Sequence, residues 1–177
     1  MPFIKTEGII IKRSNFAEAD RLLTILSEDE GKIKVLAKGV RKINSRRGGN
    51  IELFNRVTVF LRESKSFYLL TEVQLVESYK GLRMDLAKVG YAYYACELIE
   101  KLTAEGVKNR VIYGLLMNYL YNLCNESRPI ADREILETAI LTELGFWPDR
   151  LACADLKGVI EEISQSRMNS PRFIESL

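Results

Sequence analysis

The densest run of a single chemistry in these 177 residues is cationic: Lys32, Lys34, Lys38, Arg41, Lys42, Arg46 and Arg47 occur with no acidic residue between Gly31 and Ile51. Such a run suits phosphate groups, because neutralising a nucleic-acid backbone releases condensed counterions in proportion to the contacts made. The plainer alternative is a solvated hairpin and loop, since charge runs on loops are common. Flat side chains for base stacking stand in the same half, at Phe3, Phe16, Phe54, Phe60, Phe67 and Tyr68. Most of these belong in a core. Phe67 and Tyr68 are adjacent and must point oppositely, so one of the pair faces outward.

Other chemistries find less support. The chain has no histidine, which removes Ser-His-Asp and Cys-His nucleophilic machinery and the commonest transition-metal ligand. A Mg²⁺ site of carboxylates alone stays open, and with it a Mg²⁺-dependent nuclease. Glu18 and Asp20 invite a metal, yet they flank a turn beside Arg21 and are expected to form a turn salt bridge. Lys32 follows Gly31, but no glycine stands five residues earlier and Ile33 replaces the Ser/Thr, so the P-loop pattern fails. Cys96, Cys124 and Cys153 are odd in number and far apart, which predicts free thiols in a reducing compartment. No window is apolar for long enough to span a membrane, and Lys5, Glu7 and Lys12 interrupt any signal peptide, so cytoplasm is the expected location.

These groups need elements to hold them. At 47% hydrophobic and 28% charged residues the composition is that of a folded globular chain. Charge divides unevenly: residues 1–80 carry 15 Lys/Arg against 10 Asp/Glu, and residues 81–177 carry 11 against 14. The first part reads as strands at Thr6–Lys12, Leu22–Leu26, Lys32–Ala37, Val57–Arg62 and Phe67–Glu77, separated by turns at Asn15–Asp20 and Glu28–Gly31. Alternation in Lys32–Lys38 turns Lys32 and Lys34 to water and Ile33 and Val35 inward. Gly39–Asn50, polar and closed by Gly48 and Gly49, reads as an exposed, mobile loop. Five short strands with one long loop predict a closed barrel of the OB type, which leaves no unpaired edge.

From residue 82 the apolar spacing becomes helical. Leu82, Leu86, Val89, Tyr93, Cys96 and Ile99 mark a first helix, and Ile112, Leu115, Leu116, Tyr119, Leu120 and Leu123 a second that ends near Asn125. A third runs from an Asp132 N-cap through Leu136 and Ile140 to Leu144 and Gly145, and a weak fourth lies around Gly158–Gln165. Tyr91, Tyr93, Tyr94, Tyr119 and Tyr121 are read as core area, with a peptide-binding groove as the alternative. The expected fold class is therefore α+β: an OB-fold DNA-binding domain over residues 1–80, then a small helical domain over 81–177.

Read in order, T-E-G-I-I-I-K-R at Thr6–Arg13, N-F-A-E-A-D-R-L-L-T at Asn15–Thr24 and E-G-K-I-K-V-L-A-K-G-V-R-K at Glu30–Lys42 carry a resemblance to the RecO family of recombination mediators. It continues through Ser45-Arg46, Gly48–Phe54, Leu70–Tyr79 and Gly81–Leu86 to L-T-E-L-G-F-W-P-D at Leu141–Asp149. What it implies is a non-enzymatic bacterial protein, cytoplasmic and nucleoid-associated, that binds single- and double-stranded DNA and anneals complementary strands. It also implies RecR and single-stranded DNA-binding protein (SSB) as partners and a part in loading RecA on SSB-coated DNA. Neither a cofactor nor a metal is expected. Family members often carry a four-cysteine zinc site after this last segment, but here Cys153 is followed by Leu156 where the next cysteine would stand, and one thiolate cannot replace four. The chain is also shorter than is usual for the family, so its helical part is expected to be missing or reduced at the end. The competing reading is an adaptor that works through protein contacts without strong DNA binding.

Overall fold

A computed structural model describes residues 3–42, 45, 47–125, 129–146, 156–165 and 168–170, the side chains of 129–132 apart. Two compact units can be separated. One comprises Met1–Ser78 with Thr103–Tyr113, the other Tyr79–Leu102 with Gly114–Leu177. Among the described residues no helix is long and apolar enough to cross a membrane.

The first unit is built on five strands, β1 (Phe3–Phe16), β2 (Asp20–Ser27), β3 (Gly31–Ala37), β4 (Arg56–Arg62) and β5 (Tyr68–Glu77). They close into a barrel in the order β1-β2-β3-β5-β4, with β4 pairing back onto β1. Only β3 and β5 run parallel, with Val35 opposite Tyr68 and Leu36 opposite Leu69. This is the α+β arrangement with an N-terminal OB-type barrel that the sequence predicts, and all five expected strands are present.

Closure depends on β1. At 14 residues it is long enough to pair first with β4, from Phe3 to Ile9, and then with β2, from Gly8 to Phe16. An irregularity between Ile10 and Lys12 bends it at the handover. Gly8 sits where the two pairings overlap, and a Cβ there would lie 2.5 Å from Ile25 Cγ2 and 2.9 Å from the Leu26 carbonyl oxygen. The sheets cross too closely at that point for a side chain. Alternate residues then fill the barrel, Leu23 and Ile25 from β2, Ile33, Val35 and Ala37 from β3, and Val57, Val59 and Leu61 from β4.

Of the connection from β3 to β4, read from the sequence as an exposed, mobile loop over Gly39–Asn50, the described ends pack on the barrel. Val40 and Ile51, near its ends, are buried in the barrel core. Phe54 adopts φ 71, with its N–H on the Ile10 carbonyl at 2.9 Å. The buried Asn55 side chain donates to the Asn50 carbonyl at 3.0 Å. The segment Thr103–Tyr113 also packs on this unit. Gly31, at φ +69, has no room for a Cβ because the Val107 carbonyl oxygen would lie 2.2 Å away.

The second unit holds a 3₁₀ turn (Lys80–Met84) and the helices α1 (Leu86–Leu102), α2 (Arg110–Asn125), α3 (Pro129–Glu143) and α4 (Leu156–Ser164), α2 starting in the segment that packs on the barrel. Asp85 caps α1, its Oδ1 accepting the N–H groups of Ala87 at 2.9 Å and Lys88 at 3.3 Å. Leu82 is therefore outside the first helix, correcting the sequence reading. The buried side of α1 differs in part, although Cys96 and Ile99 are buried as the spacing predicts. Tyr91, Tyr94, Ala95 and Leu98 are buried, whereas Leu86 and Tyr93 are exposed. The tyrosines split accordingly, with Tyr91, Tyr94 and Tyr119 in the core and Tyr93 and Tyr121 outside it. Helix α3 begins at Pro129, so Asp132 is within it and is not its N-cap.

Two polar knots, the first buried and the second partly buried, hold this unit together. The Tyr94 hydroxyl donates to Glu137 Oε1 at 2.5 Å, and Arg133 reaches the same carboxylate at 3.2 Å. Glu97 accepts the N–H groups of Asn169 and Ser170 at 2.9 and 2.8 Å and pairs with Lys101 at 3.1 Å. Burial alone would raise the Glu97 carboxyl, but the hydrogen bonds from Ser170, Asn169 and Lys101 outweigh it and hold the pKa at about 2. Cys96 and Cys124 are free thiols, while Cys153 lies outside the described residues.

Candidate nucleic-acid interface

The seven cations of the run do not share one fate. Lys32 is buried, not water-facing as alternation predicts: its Nζ donates to the Thr103 carbonyl at 2.5 Å, and its own carbonyl accepts the Gly106 N–H at 2.9 Å. It braces the Thr103–Tyr113 segment against the barrel. Lys34 is partly exposed and pairs with Glu105 at 2.5 Å. Arg47 is half-buried and donates to the carbonyls of Lys38 at 3.1 Å, Leu70 at 3.4 Å and Thr71 at 3.5 Å. That side chain straps the end of β3 to β5. Arg46 lies outside the described residues.

Lys38, Arg41 and Lys42 remain as an exposed cationic group. Their backbone is fixed against the β1–β2 turn. The Asp20 carboxylate accepts the Gly39 N–H at 2.8 Å, and the Arg41 N–H reaches the Ala19 carbonyl at 3.0 Å. The Arg41 guanidinium also reaches the Ala17 carbonyl, at 3.4 Å. The turn salt bridge expected here gives way to other partners: Asp20 holds Gly39, and Arg21 pairs with Glu52 at 3.4 Å, a carboxylate shared with Arg13. Chain-distant Glu52 thus neutralises two partly exposed cations, Arg13 and Arg21.

Of the six aromatics, Phe54 is buried and Phe60 lies under the Lys5 ammonium at 5.5 Å. Phe3 is exposed at the far end of β1. Phe16 and Phe67 meet edge to face with ring centroids 6.2 Å apart, Phe16 being exposed and Phe67 half-buried. Tyr68 packs partly against the barrel core. This pairing brings the β1–β2 turn to the β4–β5 loop, beside Arg41. Sequence reading names both rings, but nothing local shows that residues this far apart touch. Among the described residues no group of three or more His, Cys, Asp or Glu side chains could hold a metal ion.

The fold and these loops define a protein of the OB-barrel class, whose β1–β2 and β4–β5 loops are where oligonucleotides and oligosaccharides bind. Comparison with known proteins narrows the class. Residues 1–79 match the family model described as Recombination protein O N terminal, and residues 83–167 match Recombination protein O C terminal. The chain belongs to the RecO family. It is similar to the DNA repair protein RecO of Roseiflexus sp. (strain RS-1), 35% identical over 158 residues that cover 89% of this chain and 56% of that protein. It is also similar to the DNA repair protein RecO of Symbiobacterium thermophilum, 36% identical over 157 residues, covering 86% of this chain and 61% of the relative. That of Geobacter sulfurreducens is 33% identical over 151 residues, covering 85% and 62%. The chain therefore spans less than two thirds of the length of these relatives.

Proposed function

We propose that this chain is a non-enzymatic DNA-binding recombination mediator that works in DNA repair in the bacterial cytoplasm. The observation that carries the reading is the exposed Lys38, Arg41 and Lys42 group beside the Phe16–Phe67 pair, on the loops of an OB-type barrel in a RecO-family chain. Cations bind phosphates without regard to sequence, and aromatic faces stack any base, so the surface suits single strands of arbitrary sequence. Double-stranded DNA can use the same cations. By neutralising phosphates on two strands at once, the protein would lower their repulsion and speed annealing. Handover of SSB-coated single strands to RecA, with RecR and SSB as partners, follows from the family reading and needs binding rather than bond chemistry.

An annealing assay with two complementary labelled oligonucleotides tests this. Wild type is expected to accelerate pairing, and a variant with Lys38, Arg41 and Lys42 all changed to alanine to lose most of that acceleration. No acceleration by wild type, bare or with SSB-coated strands, would favour an adaptor acting through protein contacts.

A further inference from the structure

Beside the aromatic pair the barrel unit contains an open cavity of about 270 Å³. We propose that this cavity takes one unstacked nucleobase of a bound single strand, an inference that rests on the DNA-binding role proposed above. Its walls have the right chemistry. Phe67 and Tyr68 supply flat surface, and Ser64 and Ser66 bring hydroxyls that donate or accept. Glu63 and Glu105 offer carboxylate acceptors, the complement of the N–H donors on a base edge.

Charge decides between a base and a phosphate. Lys34 already pairs with Glu105 at 2.5 Å, and Lys32 is committed to the Thr103 carbonyl. With two lysines and two carboxylates in its lining, the cavity carries no net positive charge to attract an anion. Burial, followed by the charges of Glu30 and Glu63, pushes the Tyr68 hydroxyl above its usual range, which places those carboxylates near the same wall. A neutral base fits such a lining and a phosphate does not.

The route to the cavity is set by Phe67, which forms part of its wall and is also the edge-to-face partner of Phe16. Phe16 ends β1, next to the turn whose carbonyls hold Arg41. A strand with phosphates on Lys38, Arg41 and Lys42 thus meets the aromatic pair and then the cavity. Duplex bases are stacked and paired and cannot enter, so the cavity confers a preference for single strands.

Two variants test the assignment, Ser66→Phe, which fills the cavity from an exposed position, and Phe67→Ala, which removes a wall. Affinity is measured by fluorescence anisotropy for a short single-stranded oligonucleotide and for a duplex of the same length, with circular dichroism as the check on folding. Each folded variant is expected to lose about five- to tenfold in single-strand affinity, as for removal of one aromatic stack, with duplex affinity unchanged. Should Phe67→Ala unfold, Ser66→Phe decides alone. Single-strand affinity that is unchanged, or that falls in step with duplex affinity, overturns the cavity assignment while leaving the DNA-binding role standing. Wild type that binds neither DNA overturns both.

Discussion

Cations adjacent in sequence do different work according to where their head groups end. Lys32 and Arg47 hold main-chain carbonyls, whereas Lys38, Arg41 and Lys42 present charge to solvent. Removing the Arg47 guanidinium frees the Lys38, Leu70 and Thr71 carbonyls together. Arg47→Ala is expected to lower stability by about 1–2 kcal/mol, the scale of a lost charged hydrogen bond that is partly re-solvated. Urea denaturation measures it. An unchanged midpoint would show that the strap is ornamental and that Arg47 belongs with the free cations. Glu97 makes a second such point, through pH. Its pKa of about 2 lies below the ordinary 4.5, so its bonds stabilise the fold fully above 4.5 and lose that contribution as pH falls toward 2. The melting temperature of wild type is therefore expected to fall more steeply than that of Glu97→Gln between those values. Parallel curves would contradict the assignment.

Strands and helices show what a sequence can carry and what it cannot. The barrel strands are legible because Val57, Val59 and Leu61, like Ile33, Val35 and Ala37, alternate with outward residues, and a period of two is a local property. The bend in β1 leaves no such mark, yet the barrel depends on it. Gly8→Ala is expected to cost about 1–3 kcal/mol by crowding Ile25 and the Leu26 carbonyl, a loss that thermal denaturation would register. Full tolerance would mean that the crossing is looser than described. Leu82 continues the spacing of α1, so the 3₁₀ turn before Asp85 stays hidden in the pattern. The small residues Gly90, Ala92 and Ala95 are buried on α1 and blur which side is apolar. The candidate site was half legible for the same reason. The concentration of positive charge is visible in the residues, but burial of Lys32 needs Thr103, 71 positions away, and the pairing of Phe16 with Phe67 needs the closed barrel.

Taken whole, the molecule sets a basic barrel region before an acidic helical one, and the net charge of +2 conceals the contrast. The barrel supplies a cationic group, an aromatic pair and a cavity close together, and the RecO membership of the chain is the ground on which a role in recombination is proposed for that surface. The central claim is that Lys38, Arg41 and Lys42 are the phosphate contacts. It is tested most directly by titrating labelled single-stranded DNA across several salt concentrations with wild type and with the triple alanine variant. Each phosphate contact on a single strand contributes about 0.7 to the slope of log affinity against log salt. The variant is expected to bind more weakly with a slope flatter by about 2, whereas equal affinities and equal slopes would place the DNA elsewhere on the protein or leave it unbound.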